Sequence, residues 1–165
     1  MLTSRDFSEL LSLFIANKVR FLIVGGYAVM KYTEPRYTKD LDLWIAVDAK
    51  NAAAVYQSLR DFGAPLANLA IQDFQERDQV YQMGRPPLRV DILMSVSGVD
   101  FEAAWPRREK MKIGGMTVPF ISREDLIRNK RATARAQDLL DLQNLELRPP
   151  HPNPRRSKSR SSRRK

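Results

Sequence analysis

The sequence predicts one α/β domain of the α+β kind: a small, mixed, mainly antiparallel sheet flanked by helices and followed by a helical C-terminal segment. Three observations carry this. The apolar run "VRFLIV" stops at Gly25-Gly26 and continues as helix-compatible "GYAVMKY". "DLDLWIAV" then alternates strictly, with Leu41, Leu43, Ile45 and Val47 on one side and Asp40, Asp42, Trp44 and Ala46 on the other. A later apolar run, "RVDILM", carries Asp91 in its middle.

The remaining elements follow in order. "FSELLSLFIANK" places Phe7, Leu10, Leu11, Phe14 and Ile15 on one stripe of a 3.6-residue period, and Thr3 with Asp6 resembles a capping box. Glu34-Pro35 ends the glycine-led helix, because the residue before proline is pushed out of the helical region. Asp48 is placed to cap "AKNAAAVYQSLRDF", and Gly63 to end it. "VYQMG" and "PLRVDILMSV" are strand candidates on either side of Gly84-Arg85-Pro86-Pro87. Asp100 is placed to cap a short helix through Trp105, and "MKIGGMTVPF" suggests a hairpin turning at Gly-Gly. Ser122 with Asp125 opens a final helical region extending to Pro149.

The 165 residues suit one domain over 1–148. Residues 149–165 hold no Ala, Val, Leu, Ile, Met, Phe, Tyr or Trp and cannot offset the entropy of ordering, so a disordered Pro/Ser/Arg-rich tail is expected there. Seven of the 28 basic residues lie in that tail (Arg155, Arg156, Lys158, Arg160, Arg163, Arg164 and Lys165), against 19 acidic residues all outside it. The net charge of +9 is therefore largely the tail's, which suits electrostatic attraction to RNA but fits a membrane surface or an acidic partner nearly as well. No apolar run approaches the ~20 residues of a membrane span, and "MLTSRDFSELL" lacks a signal-peptide pattern, so a cytoplasmic protein without membrane association is expected.

Composition also limits the chemistry. With no cysteine and a single histidine, His151 in a proline-rich stretch, any metal must sit on oxygen ligands, which points to Mg²⁺ or Mn²⁺. An ionised carboxylate in an apolar strand is costly unless paired or bound to a cation. Asp40, Asp42 and Asp91 converging on adjacent strands would repel one another, and two divalent ions would offset that repulsion. A metal pair ~3.5–4 Å apart is the recurring device for in-line displacement at phosphorus. Backbone N–H groups at the start of the Gly25-Gly26 helix, with the positive end of the helix dipole behind them, suit phosphate oxygens.

"GGYAVMKYTEPRYTKDLDLWI" resembles the signature of the polymerase-β-like nucleotidyltransferases: two glycines opening a helix, an acid pair on the following strand, and a third acid on a later one. Within that superfamily, the "GG-A" start, the run Arg36, Thr38, Asp40, Asp42, and the later set Asp125, Leu126, Ile127, Lys130, Arg135, Asp138 look most like the minimal AbiEii/MenT-type group, which includes toxins of toxin–antitoxin systems. The resemblance runs from about residue 5 to 147. It implies transfer of a nucleoside monophosphate from an NTP to an acceptor hydroxyl, with Asp40 and Asp42 ligating both metals. Asp91 would complete the site of the metal that activates the acceptor. Gly25, Gly26 and Lys130 would bind the triphosphate, with added contacts from Thr38 and Arg36. An RNA acceptor, such as the 3′ end of a tRNA, and a cognate antitoxin are the partners it suggests.

Plainer readings stand beside these. Gly-Gly after a strand is usually a tight turn, and Asp-x-Asp alone also fits an edge cap or a metal-dependent glycosyltransferase. Lys130, Arg131, Arg135 and Asp138 fall at spacings that a solvated helix face also produces. Asp141 reads as solubilising, and Trp44 as core rather than a base-stacking group. Tyr27 suits either the core or the underside of a nucleotide. A small hydroxylated acceptor and a catalytically silent nucleotide- or RNA-binding module are the alternative functions.

Overall fold

A computed structural model describes residues 4–85 and 87–147. The expected capping role of Thr3 and the expected disordered tail from 149 lie outside these residues. Six strands form one mixed sheet in the order β3-β4-β2-β1-β6-β5. They are β1 (Phe21–Val24), β2 (Asp40–Ile45), β3 (Val80–Arg85), β4 (Leu88–Leu93), β5 (Glu109–Ile113) and β6 (Met116–Phe120). The pairs β1–β2, β3–β4 and β5–β6 are antiparallel, whereas β2–β4 and β1–β6 are parallel. The helices are α1 (Arg5–Ala16), α2 (Gly25–Tyr32), α3 (Ala49–Phe62), α4 (Phe101–Ala104), α5 (Arg123–Thr133) and α6 (Ala136–Leu147).

Local chemistry places most of the boundaries. Asp48, Asp100 and Ser122 each accept a hydrogen bond from a backbone N–H in the first turn of the helix they precede. Ser4, by contrast, caps α1 through backbone conformation alone. Gly63 ends α3 in the left-handed conformation, and Gly114 and Gly115, both at positive φ, turn β5 into β6. The final helical region is not continuous. Ala134, at φ +47, breaks it into α5 and α6 without the glycine or proline that would have announced a break.

Alternation along β2 separates two environments. Leu41, Leu43 and Ile45 are fully buried on one face. On that side Phe14 of α1 meets Phe21 edge-on at 5.4 Å, and Phe74 bridges Tyr56 of α3 to Tyr81 of β3. Each such large apolar side chain stabilises the fold by roughly 1.5–3 kcal/mol on burial. The opposite face carries Asp40, Asp42 and Trp44. Trp44 is core, 1% exposed and edge-on to Phe101 of α4 at 5.0 Å. Tyr27 is also core, packed edge-on against Phe7. Among the described residues no helix is long and apolar enough to cross a membrane.

Candidate functional site

Strand register brings the acidic residues together. The parallel pairing of β2 with β4 sets Asp42 beside Asp91, and Asp40 beside Arg89. The antiparallel pairing of β1 with β2 sets Val24 beside Asp42, so the chain leaves β1 and enters the glycine turn directly next to that carboxylate. Gly25 is required there twice over. Its φ of +62 lies in the left-handed region, and a Cβ would stand 2.1 Å from Asp42 Oδ2. Gly26 is equally confined, since a Cβ would meet Thr38 Oγ1 at 2.6 Å and Arg36 Nη2 at 3.3 Å. Thr38 and Arg36 thus lie against the start of α2, and Thr38 Oγ1 is 3.5 Å from the Asp40 carbonyl.

The electrostatics are those of crowded negative charge. Burial pushes the Asp42 carboxyl up to about 7, with Asp91 and Asp40 pushing the same way, and Lys130 and Arg89 opposing them. Arg89 lies between the other two acids. Its Nη2 donates to Asp40 Oδ2 at 2.9 Å and to Asp91 Oδ2 at 3.2 Å. Its Nε is 3.1 Å from Asp91 Oδ1, but off-line, so that buried oxygen has no hydrogen bond among the described residues. Gln82 on β3 adds a long contact to Asp91 Oδ2.

These observations test whether a divalent cation suits the site. The donors are all oxygens, one buried oxygen lacks a donor, and burial and then the neighbouring acids disfavour charge on Asp42, so a hard cation fits the donor set. No three acidic side chains are yet gathered into a ligand group among the described residues, and Asp40 and Asp91 are both engaged by Arg89.

The opposite wall comes from α5 and the turn that follows it, with α6 packed behind. A cavity of about 200 Å³ is lined by Gly25 and Asp42 on the sheet side and by Asn129, Lys130 and Arg135 on the helical side. The Lys130 ammonium is nearly buried and bonded to Asp138 at 2.7 Å and Asp141 at 3.0 Å. Asp138 is driven up by burial but held down to about 2 overall by hydrogen bonds from Lys130 and Arg135. Asp141 is fully buried and also accepts from Arg36 Nη2 and Gln137 Nε2, both at 3.0 Å. It is therefore a structural anchor rather than a solubilising residue, tying α6 to both the α5 lysine and the segment before β2. Asp141→Ala would leave the buried Lys130 with Asp138 alone and the half-buried Arg36 without its carboxylate, and a loss of about 3 kcal/mol is expected in urea denaturation.

Of the site residues expected from the sequence, Gly25, Asp42 and Lys130 line this cavity; Asp40 and Asp91 adjoin Asp42 through the sheet and Arg89, and Thr38 and Arg36 lie against Gly26 without lining it. Sequence reasoning missed Arg89, Gln82 and Asp141. Arg89 was findable, because period-two alternation puts it on the same face as Asp91.

Two solved structures share this fold. One is a lincosamide antibiotic adenylyltransferase, LnuA, in a lincomycin-bound crystal structure, at 18% identity and a TM-score of 0.52 over 88% of this chain and 97% of that one. The other is an antigenic nucleotidyltransferase-like protein from Paracoccidioides brasiliensis, at 19% identity and a TM-score of 0.50 over 85% of this chain and 74% of that one. No curated protein matches the chain. Residues 3–158 match the family described as "Nucleotidyl transferase of unknown function (DUF2204)", and with its glycine turn, its acid-bearing sheet face and its fold the chain belongs to that nucleotidyltransferase family.

Proposed function

We propose that the chain transfers a nucleoside monophosphate from an NTP to an acceptor hydroxyl, in the manner of the AbiEii/MenT-type enzymes. The observation that carries this reading is the in-register placement of Asp42 beside Asp91, with Gly25 packed against Asp42. Asp40, Asp42 and Asp91 would hold two Mg²⁺ or Mn²⁺ ions, which when bound neutralise these acids, polarise the α-phosphate and acidify the acceptor hydroxyl. The Gly25 and Gly26 amides hold phosphate oxygens at the start of α2. Lys130, held from behind by Asp138 and Asp141, and Arg36, held by Asp141, present positive charge to the triphosphate. The hydroxyl of Thr38 adds a contact near the same glycines. Asp91 takes the proton of the attacking hydroxyl as the new O–P bond forms and the bond to pyrophosphate breaks, so pyrophosphate leaves with the displaced electron pair.

For the acceptor we favour RNA, a tRNA 3′ end in particular, on the strength of the basic stretch from Arg155 to Lys165, and a toxin role with a cognate antitoxin follows from the same resemblance. A small hydroxylated molecule such as an antibiotic is the second reading. LnuA is a lincosamide adenylyltransferase whose fold overlays nearly all of its chain on this one, so a domain of this size accommodates a small acceptor.

Incubation with each α-³²P-labelled NTP, Mg²⁺ and either total tRNA or a panel of aminoglycosides and lincosamides separates the readings. Label on tRNA, weakened by raised salt and, at low salt, by deletion of residues 150–165, is the expected result. Label on a small molecule alone would replace the RNA acceptor. Nucleotide binding without transfer to any acceptor would leave a silent binding module.

A further inference from the structure

Resting on the metal-site reading above, we propose that Arg89 is an internal counter-cation that occupies the acid cluster before a divalent ion arrives, and that metal binding proceeds by its displacement. Its guanidinium spans two strands, bonded through one nitrogen to both Asp40 and Asp91. Register makes this unavoidable, because Arg89 is the cross-strand partner of Asp40 and lies two residues before Asp91 on the same face. A guanidinium offers planar hydrogen bonds but no charge beyond one, whereas three carboxylates call for more. Two signs of incomplete compensation remain. Asp91 Oδ1 is buried beside Arg89 Nε without a hydrogen bond, and Asp42 has no bond to Arg89 at all. The Arg89 side chain is 37% exposed, so it has an open route to solvent when a better cation competes.

The arrangement makes two demands on behaviour. Without metal, Arg89 relieves the repulsion between Asp40 and Asp91 and stabilises the sheet there. With metal, the same charge becomes a competitor, so its removal tightens cation binding. A residue that merely packed or oriented Asp91 would give the opposite sign, since its loss would weaken both states.

The test uses Mn²⁺ as the probe, followed by electron paramagnetic resonance and isothermal calorimetry on the full chain, with thermal melts in EDTA and in Mn²⁺. Arg89→Gln is expected to bind Mn²⁺ about tenfold more tightly than wild type, to melt lower in EDTA, and to gain more from added Mn²⁺. Arg89→Lys, which keeps the charge but not the guanidinium fork, is expected to bind within about threefold of wild type, and a tenfold gain in Arg89→Lys as well would overturn displacement of a competing charge. Equal or weaker Mn²⁺ binding by Arg89→Gln, with wild type binding normally, overturns the displacement and leaves the metal site standing. Absence of Mn²⁺ binding in wild type and Arg89→Gln alike, or binding undiminished in Asp42→Asn, overturns the metal site and the displacement together.

Discussion

Asp42→Asn is expected to lower nucleotidyl transfer at least about a thousandfold and, in the absence of metal, to raise the melting temperature. On the proposed metal site, the activity loss would follow from removing a ligand at the point where charge on the transferring phosphoryl group is stabilised, an effect of several kcal/mol. The stability gain follows from the sign of the Asp42 shift. Burial, and then Asp91 and Asp40, push its folded carboxyl up to about 7, from the usual carboxylate value of about 4. Between those values the folded chain holds a proton that the unfolded chain has released, so stability falls as pH rises from about 4 to 7 and is flat above. Asparagine removes that penalty. Discounting for the coupling among the three acids, the gain at pH 8 in EDTA is on the order of 2 kcal/mol, or about 5 °C, and it closes as pH falls toward 4. Melts of both proteins at pH 4 and pH 8 check this, and a variant less stable than wild type at pH 8 in EDTA contradicts it.

Gly25→Ala should cost activity at least about a hundredfold while the chain still folds. The left-handed backbone at Gly25 charges a β-carbon about 1–2 kcal/mol. The larger consequence is steric. With its new methyl 2.1 Å from Asp42 Oδ2, the variant forces that carboxylate to rotate out of the cluster, and a displacement of an ångström at reacting groups is enough for such a loss. Gly63→Ala supplies the control, because φ there is +83 but no atom lies within 4 Å of the added carbon. Both variants should lose similar stability in urea, and only Gly25→Ala should lose single-turnover rate. Equal rates in the two would remove the glycine turn from the catalytic argument.

The sheet face was legible because alternation is a local property. Once Asp40 and Asp42 fall on the polar side of a strand whose other side is Leu41, Leu43 and Ile45, their common direction needs no tertiary information. The caps at Asp48, Asp100 and Ser122, and the turns at Gly63 and Gly114-Gly115, were legible for the same reason. The helical wall was not. In α6 the pattern is inverted, with Leu139 and Leu140 exposed while Asp138 and Asp141 are buried. Hydrophobic periodicity assigns the acids to solvent, and only their cationic partners, the buried Lys130 and the half-buried Arg36, reverse that assignment. The break at Ala134 was hidden likewise, since alanine is the strongest helix former and its left-handed conformation is imposed from outside. Arg89 was readable from its register but drew no attention, because an arginine at the start of a strand is ordinarily a solvated flank.

The anchoring of Lys130 and Arg36 by Asp141 also orders events in time. A ribosome delivers the glycine turn, the acid pair, Asp91 and Lys130 well before Asp141. Until Asp141 emerges, Arg36 lacks its carboxylate partner and Lys130 has at most Asp138, so the helical wall facing the acids is completed only as α6 forms. Assembly of the helical wall is thereby tied to the last described helix, and a chain cut short before Asp141 would keep its acids but lose the ion pairs that Asp141 makes with Lys130 and Arg36.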